Sequence, residues 1–139
     1  MKKLLLLILF AATILASCSS PASEFSFMSS WEARDLIEGG ADVIVVDVRS
    51  EAEFLNGHIE GSILLPVNEI ADYAESVLLD RNAVILVICQ SGNRSRTASQ
   101  ALADLGFTNV YDIGGIMAWP GEILRCYGMA GRSCELTSN

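Results

Sequence analysis

Two short runs constrain this chain more than anything else in it. Val43-Ile44-Val45-Val46-Asp47-Val48 and Ala83-Val84-Ile85-Leu86-Val87-Ile88-Cys89 are almost unbroken apolar stretches rich in β-branched side chains. A strand with one wet face would alternate apolar and polar residues, and these do not. They suit strands covered on both faces, the position of inner strands in a parallel sheet. The segments between them read as helices. Ser29 and Glu32 have capping-box spacing and Gly39-Gly40 close the segment, which predicts a helix over Ser30–Glu38. Ser50 and Glu53 repeat that spacing over a short turn ending near Asn56-Gly57. Asn68 is placed to cap a helix over Glu69–Leu79, and Ser95–Leu105 reads as a helix stopped by Gly106. Phe25 and Phe27, Ser62–Pro66 and Asn109–Ile113 supply further short strands. Alternation of this kind predicts an α/β fold: a central parallel sheet with right-handed crossovers, flanked by helices on both faces.

The chain has 139 residues, and the first 17 read as a leader rather than as part of that fold. Lys2 and Lys3 precede an apolar run, Leu4–Leu15, broken by Thr13 alone. A positive start, a short apolar stretch and small residues after it form an export signal. The run is too short to span a bilayer, which takes about 20 residues. Residues 1–17 hold both lysines and no acid, so the remainder carries seven arginines against 17 carboxylates, a net charge of −10. Such a domain is poorly suited to nucleic acid, whose phosphates need a basic surface. Docking onto anionic lipid by charge is excluded on the same ground. What remains is one domain of ordinary size with enough Val, Ile and Leu for a core.

Leu15-Ala16-Ser17-Cys18 resembles the lipobox of bacterial lipoproteins. The resemblance implies cleavage before Cys18, lipidation of its thiol and acylation of the new N-terminus. The alternative is an ordinary export signal cut near Ala16 or Ser17. Lipidation would place the domain in the periplasm on a membrane anchor, and Ser19 after the cysteine leans toward the outer membrane. Residues 18–24 then form a lipidated tether of small polar residues, reaching roughly 20 Å at full extension.

The chemistry is carried by the junction after the second apolar run. Cys89 ends that strand, Ser95 opens the next helix, and Gln90-Ser91-Gly92-Asn93-Arg94 lie between. In a parallel α/β sheet, ligands bind at such a junction. Unpaired N–H groups of the loop and helix start make an anion cradle, and Gly92 lets the backbone curl enough for them to converge. A thiol held there is pushed toward thiolate by the helix dipole and by nearby Arg94. The plain alternative is a buried cysteine that only ends a core strand.

Several motifs, taken together, resemble the single-domain rhodanese family. They are Asp47-Val48-Arg49, Glu53-Phe54, Gly57-His58-Ile59-Glu60-Gly61-Ser62, Leu65-Pro66, the loop from Cys89 to Ser95, Gly106-Phe107, and Gly114-Gly115 followed by Trp119. They occur in family order and span roughly Phe25 to Trp119. The resemblance implies a rhodanese-like sheet and a sulfurtransferase that carries sulfane sulfur as a persulfide on Cys89. It implies that Gln90, Ser91, Gly92, Asn93, Arg94 and Ser95 cradle the terminal sulfur and the donor's oxyanion. The donor would be a small thiosulfate-like anion and the acceptor a thiol or cyanide, with no cofactor. The C-x4-R loop looks like that of sulfurtransferases, whereas related phosphatases use C-x5-R. Asp47, Arg49 and His58 are expected to hold neighbouring loops rather than to act chemically.

With the leader at 1–17 and the tether at 18–24, the rhodanese-like domain is expected over 25–125 and a tail over 126–139. Cys126 and Cys134 lie eight positions apart around a glycine-rich turn. Outside the cytoplasm this suggests a disulfide, and neither has the neighbours a zinc site needs. The rival is that one of them resolves an oxidised Cys89. Three classes follow: a sulfurtransferase, a thiol redox protein using Cys89 with Cys126 or Cys134, and a non-catalytic binding module. The intact Cys89 and Arg94 argue against the last.

Overall fold

The computed structural model describes residues 24–127 and 133–139. The leader, Cys18 and the tether up to Ser23 lie outside the described residues. Five strands, β1 (Ser26–Phe27), β2 (Val43–Asp47), β3 (Ile63–Leu64), β4 (Val84–Cys89) and β5 (Asn109–Gly115), form one parallel sheet in the order β1-β5-β4-β2-β3. The two apolar runs are neighbours at its centre, in register from Val43 opposite Val84 to Asp47 opposite Ile88.

Four α-helices connect the strands: α1 (Ser30–Glu38), α2 (Glu51–Leu55), α3 (Ile70–Val77) and α4 (Asn93–Asp104). Both predicted capping boxes are formed, Ser29 with Glu32 at α1 and Ser50 with Glu53 at α2. Strand β4 feeds two cores by its alternation. Ile85, Val87 and Cys89 pack with Ala74 and Leu78 of the α3 segment and Ala98 and Leu102 of α4. Leu86 and Ile88 pack on the other side with Ala33 of α1, Trp119 and Ile123. All five of these β4 side chains are shut off from solvent. Burial of this kind contributes roughly 1.5–3 kcal/mol per large aliphatic side chain.

The second core is closed by an element the sequence pattern does not announce. β6 (Glu122–Tyr127) and β7 (Ser133–Ser138) pair antiparallel, with Cys126 opposite Cys134 and a disulfide between them. The strand β6 thus runs across the division expected at 125/126. A two-residue bridge holds the hairpin to the body: His58 N–H donates to the Leu124 carbonyl at 3.1 Å, and Leu124 N–H returns the bond at 2.7 Å.

Two helix starts differ from the sequence reading. Asn68 caps nothing; it lies inside a 3-10 turn, Val67–Glu69, opened by Pro66. The chain enters α3 already coiled, so the extended residue that an N-cap needs is missing there, and no side chain caps this helix. Helix α4 begins at Asn93, two residues before Ser95, because Gly92 takes the cap position in a left-handed conformation (φ 100°).

Candidate active site

Every loop around Cys89 leaves the C-terminal end of a strand, as a parallel sheet requires. The β4–α4 loop is central and is held from two sides. On one side Gly115 of β5 supports it so closely that a Cβ there would lie 2.5 Å from the Gln90 carbonyl oxygen and 2.6 Å from Ser91 Cα. The β4–β5 register shifts between Val87 and Cys89, which sets Cys89 opposite Gly115. The Gln90 carbonyl also accepts the Met117 N–H at 3.3 Å.

On the other side stands a buried ion pair. Asp47 ends β2 and accepts Arg49 Nε at 2.9 Å and Nη2 at 2.7 Å. Arg49 continues to the Gly57 carbonyl at 2.6 Å and to Gln90 Oε1 at 3.3 Å. The pair therefore ties β2, the segment after α2 and the active-site loop into one unit. A single buried guanidinium of this shape can fork to several acceptors.

Inside the loop the sulfur faces N–H groups. Gly92 N–H donates to Cys89 Sγ at 3.1 Å. Ser95 Oγ lies 3.6 Å from Sγ, where it accepts from the thiol and can turn its proton to the sulfur once the thiol ionises; in the resting arrangement that O–H donates to the Gly92 carbonyl at 3.2 Å. Burial pushes the Cys89 thiol up. Hydrogen bonds from the Ser95 hydroxyl and from the N–H groups of Ser95, Gly92 and Ser91 outweigh it, and the thiol lies below its ordinary value. A thiolate at the start of a twelve-residue helix is a nucleophile with its charge already solvated by the backbone.

The six loop residues divide by role. Ser91, Gly92 and Ser95 point donors at Sγ. Gln90 is tied through its side chain to Arg49. Asn93 starts α4 and is exposed, with its carbonyl 3.4 Å from Thr97 Oγ1. Arg94 turns outward into a bidentate pair with Glu53, at 2.8 and 2.6 Å. Arg94 and the Cys89 sulfur still interact by charge, while the hydrogen bonds are the leading groups that lower the thiol. Arg94 beside it lowers the Glu53 carboxyl to about 2, so the pair stays ionised and clamps α2 to α4.

His58 is stacked on Phe54 with ring centroids 3.7 Å apart, and its Nδ1 is 2.8 Å from the Phe54 carbonyl. Its ring and its backbone bridge to Leu124 both serve packing. Asp47 and Arg49 likewise act by holding loops. Among the described residues Cys89 is the free cysteine, since Cys126 and Cys134 are bonded to each other.

A reactive cysteine under a ring of backbone donors, at the end of an inner parallel strand, defines a cysteine enzyme of the α/β class. Comparison with known proteins narrows this. A rhodanese-like domain model matches residues 30–122. A thiosulfate sulfurtransferase, GlpE of Pseudomonas entomophila, is 40% identical over 105 residues, covering 72% of this chain and 93% of that relative. A rhodanese-related protein from Thermoplasma volcanium superposes with a TM-score of 0.60 at 32% identity, covering 68% of this chain and 89% of that one. A rhodanese from E. coli, solved with anions, has a TM-score of 0.52 at 28% identity over 54% of this chain and 88% of its own. This chain belongs to the rhodanese-like family and is a sulfurtransferase of that type.

Proposed function

We propose that Cys89 carries sulfane sulfur as a persulfide from a thiosulfate-like anion to a thiol or to cyanide. The Cys89 thiolate attacks the outer sulfur of the donor. Its bond to the sulfonate breaks, sulfite leaves with the electron pair, and the new S–S bond holds the outer sulfur on Sγ as an anion. An acceptor thiolate then attacks that sulfur in its protonated form, and Sγ recovers the electron pair.

The observation that carries this reading is the Gly92 N–H at 3.1 Å from Cys89 Sγ, backed by donors from Ser91 and Ser95. Donors fixed before reaction stabilise negative charge without reorganising. They suit an anionic persulfide as well as they suit a thiolate. The relative's thiosulfate activity and the anions bound to the E. coli structure support the same donor class. Mass spectrometry after incubation with thiosulfate is the test. One added sulfur on Cys89, absent in Cys89→Ser, is expected; transfer surviving in Cys89→Ser under thiol-free conditions would overturn the assignment.

We further propose that the enzyme works at the bacterial cell envelope. The Leu15-Ala16-Ser17-Cys18 sequence supports a lipid anchor on Cys18, with the domain in the periplasm and the outer membrane preferred. Two or more acyl chains hold a protein firmly on a bilayer, and one does not. Recovery of the mature protein in the soluble fraction with an unmodified Cys18 would refute the anchor.

A further inference from the structure

A cleft opens beside the sulfur cradle, between the active-site loop and the C-terminal hairpin. Its volume is about 430 Å³, within the size range of small-molecule sites. Gln90, the residue after the nucleophile, forms one wall. Ile116 and Met117 form another, and the hairpin residues Ile123 and Arg125 complete it. The family match ends at residue 122, and the hairpin wall lies past it.

Of the charged side chains lining this cleft, Arg125 has no carboxylate within 4 Å among the described residues, although Glu135 stands opposite it across the hairpin. Arg49 is matched by Asp47 at 2.7 Å, and Glu53 is matched by Arg94 at 2.6 Å. Arg125 instead meets neutral partners, the Asn56 carbonyl at 2.8 Å and the Thr137 hydroxyl at 3.1 Å. The cleft therefore offers a half-buried cation, on a domain that is strongly acidic elsewhere. Arg125 is also held in place. Its neighbour Cys126 is bonded to Cys134, and the adjoining Leu124 is bridged to His58. A guanidinium fixed in this way loses little freedom on pairing with a ligand.

We propose that this cleft binds the sulfur acceptor, and that the acceptor is a low-molecular-weight thiol bearing a carboxylate that pairs with Arg125. The proposal rests on the persulfide reading above. Ile116, Met117 and Ile123 receive the ligand's apolar part, and its thiol extends past Gln90 toward Cys89. The acceptor thiolate attacks the outer sulfur of the protonated persulfide. The Cys89–sulfur bond breaks, Sγ leaves as thiolate, and the acceptor departs as its own persulfide.

The test uses full-length protein loaded with thiosulfate, with loading verified by mass spectrometry. Discharge is then followed against mercaptoacetate, mercaptoethanol and cysteamine, which are anionic, neutral and cationic. Comparing variant with wild type for each thiol cancels the intrinsic reactivity of that thiol. Arg125→Gln is expected to weaken use of mercaptoacetate about tenfold and to leave mercaptoethanol within about twofold. Because that change also removes a hairpin contact, Met117→Glu gives an independent reading from an exposed rim position. It should slow mercaptoacetate selectively and favour cysteamine. Normal loading with unaltered selectivity in both variants overturns the proposal. Failure of wild type to load would instead refute the persulfide reading and this inference with it.

Discussion

The hydroxyl of Ser95 is the side-chain group in the cradle that a single substitution can delete, together with its bond to the Gly92 carbonyl. Ser95 is fully buried, its Oγ lies 3.6 Å from Cys89 Sγ, and it is the leading group that lowers the thiol against burial. A hydrogen bond to a charged group contributes about 1.5–3 kcal/mol. At 3.6 Å this one belongs at the weak end, about 1.5 kcal/mol, which is roughly tenfold in an equilibrium constant. Ser95→Ala is therefore expected to raise the Cys89 midpoint. Where that midpoint lies above the assay pH, the thiolate fraction and the loading rate should both fall about tenfold. Alkylation by iodoacetamide between pH 5 and 10 reads the midpoint directly, and thiosulfate loading reads the consequence. The control is Ser99→Ala. Its Oγ is buried one turn further along α4 without a hydrogen-bond partner, so its loss should leave the thiol alone. A Ser95→Ala midpoint equal to wild type would refute the claim that side-chain donation helps hold the thiolate.

Gly115→Ala should be far more damaging, because the new methyl would meet the Gln90 carbonyl and Ser91 Cα, which are backbone atoms that cannot swing aside. A loss of about 1–3 kcal/mol in urea titrations and a collapse of sulfur transfer are expected together. Glu53→Gln keeps the shape of the α2 cap but removes the charge that clamps Arg94. Since the Glu53 carboxyl is lowered from 4.5 to about 2, its contribution is complete above 4.5 and is lost as the pH falls through 2. Wild type should exceed the variant by about 1 kcal/mol at neutral pH, after allowance for exposure, and the gap should close between pH 4.5 and 2. Reducing the Cys126–Cys134 disulfide, or replacing both residues by serine, should cost the hairpin roughly 2–3 kcal/mol. Proteolysis of the hairpin with and without reductant would show this, and equal cleavage rates would contradict it.

Much of this architecture is written locally and is legible in the order of the residues. The continuous runs at Val43 and Ala83 mark the two central strands because a strand buried on both faces has no polar side to show. The boxes at Ser29/Glu32 and Ser50/Glu53 are legible because both partners lie within one helical turn. The cysteine, the glycine and the helix start that make the cradle fall within seven consecutive residues. Their chemistry is therefore encoded in one loop. Asn68 shows where such reading fails: the right residue type stands at the right spacing, but the 3-10 turn Val67–Glu69 coils the chain first.

What the fold alone decided are the contacts between residues distant in sequence. Arg94 and Arg49 each meet their loop-locking partners, Glu53 and Gln90, across 41 positions. Nothing in either local sequence says which carboxylate or amide will arrive. The hairpin was equally hidden, because Ser133–Ser138 is mostly polar and exposed and so carries no apolar periodicity. Its strand identity comes from pairing with β6 and from the disulfide, and β6 in turn is placed by burying Ile123 in the second core. Local sequence specifies conformations whose donors and acceptors lie within a turn of each other, whereas a side chain's choice among distant partners exists only after the sheet has brought them together.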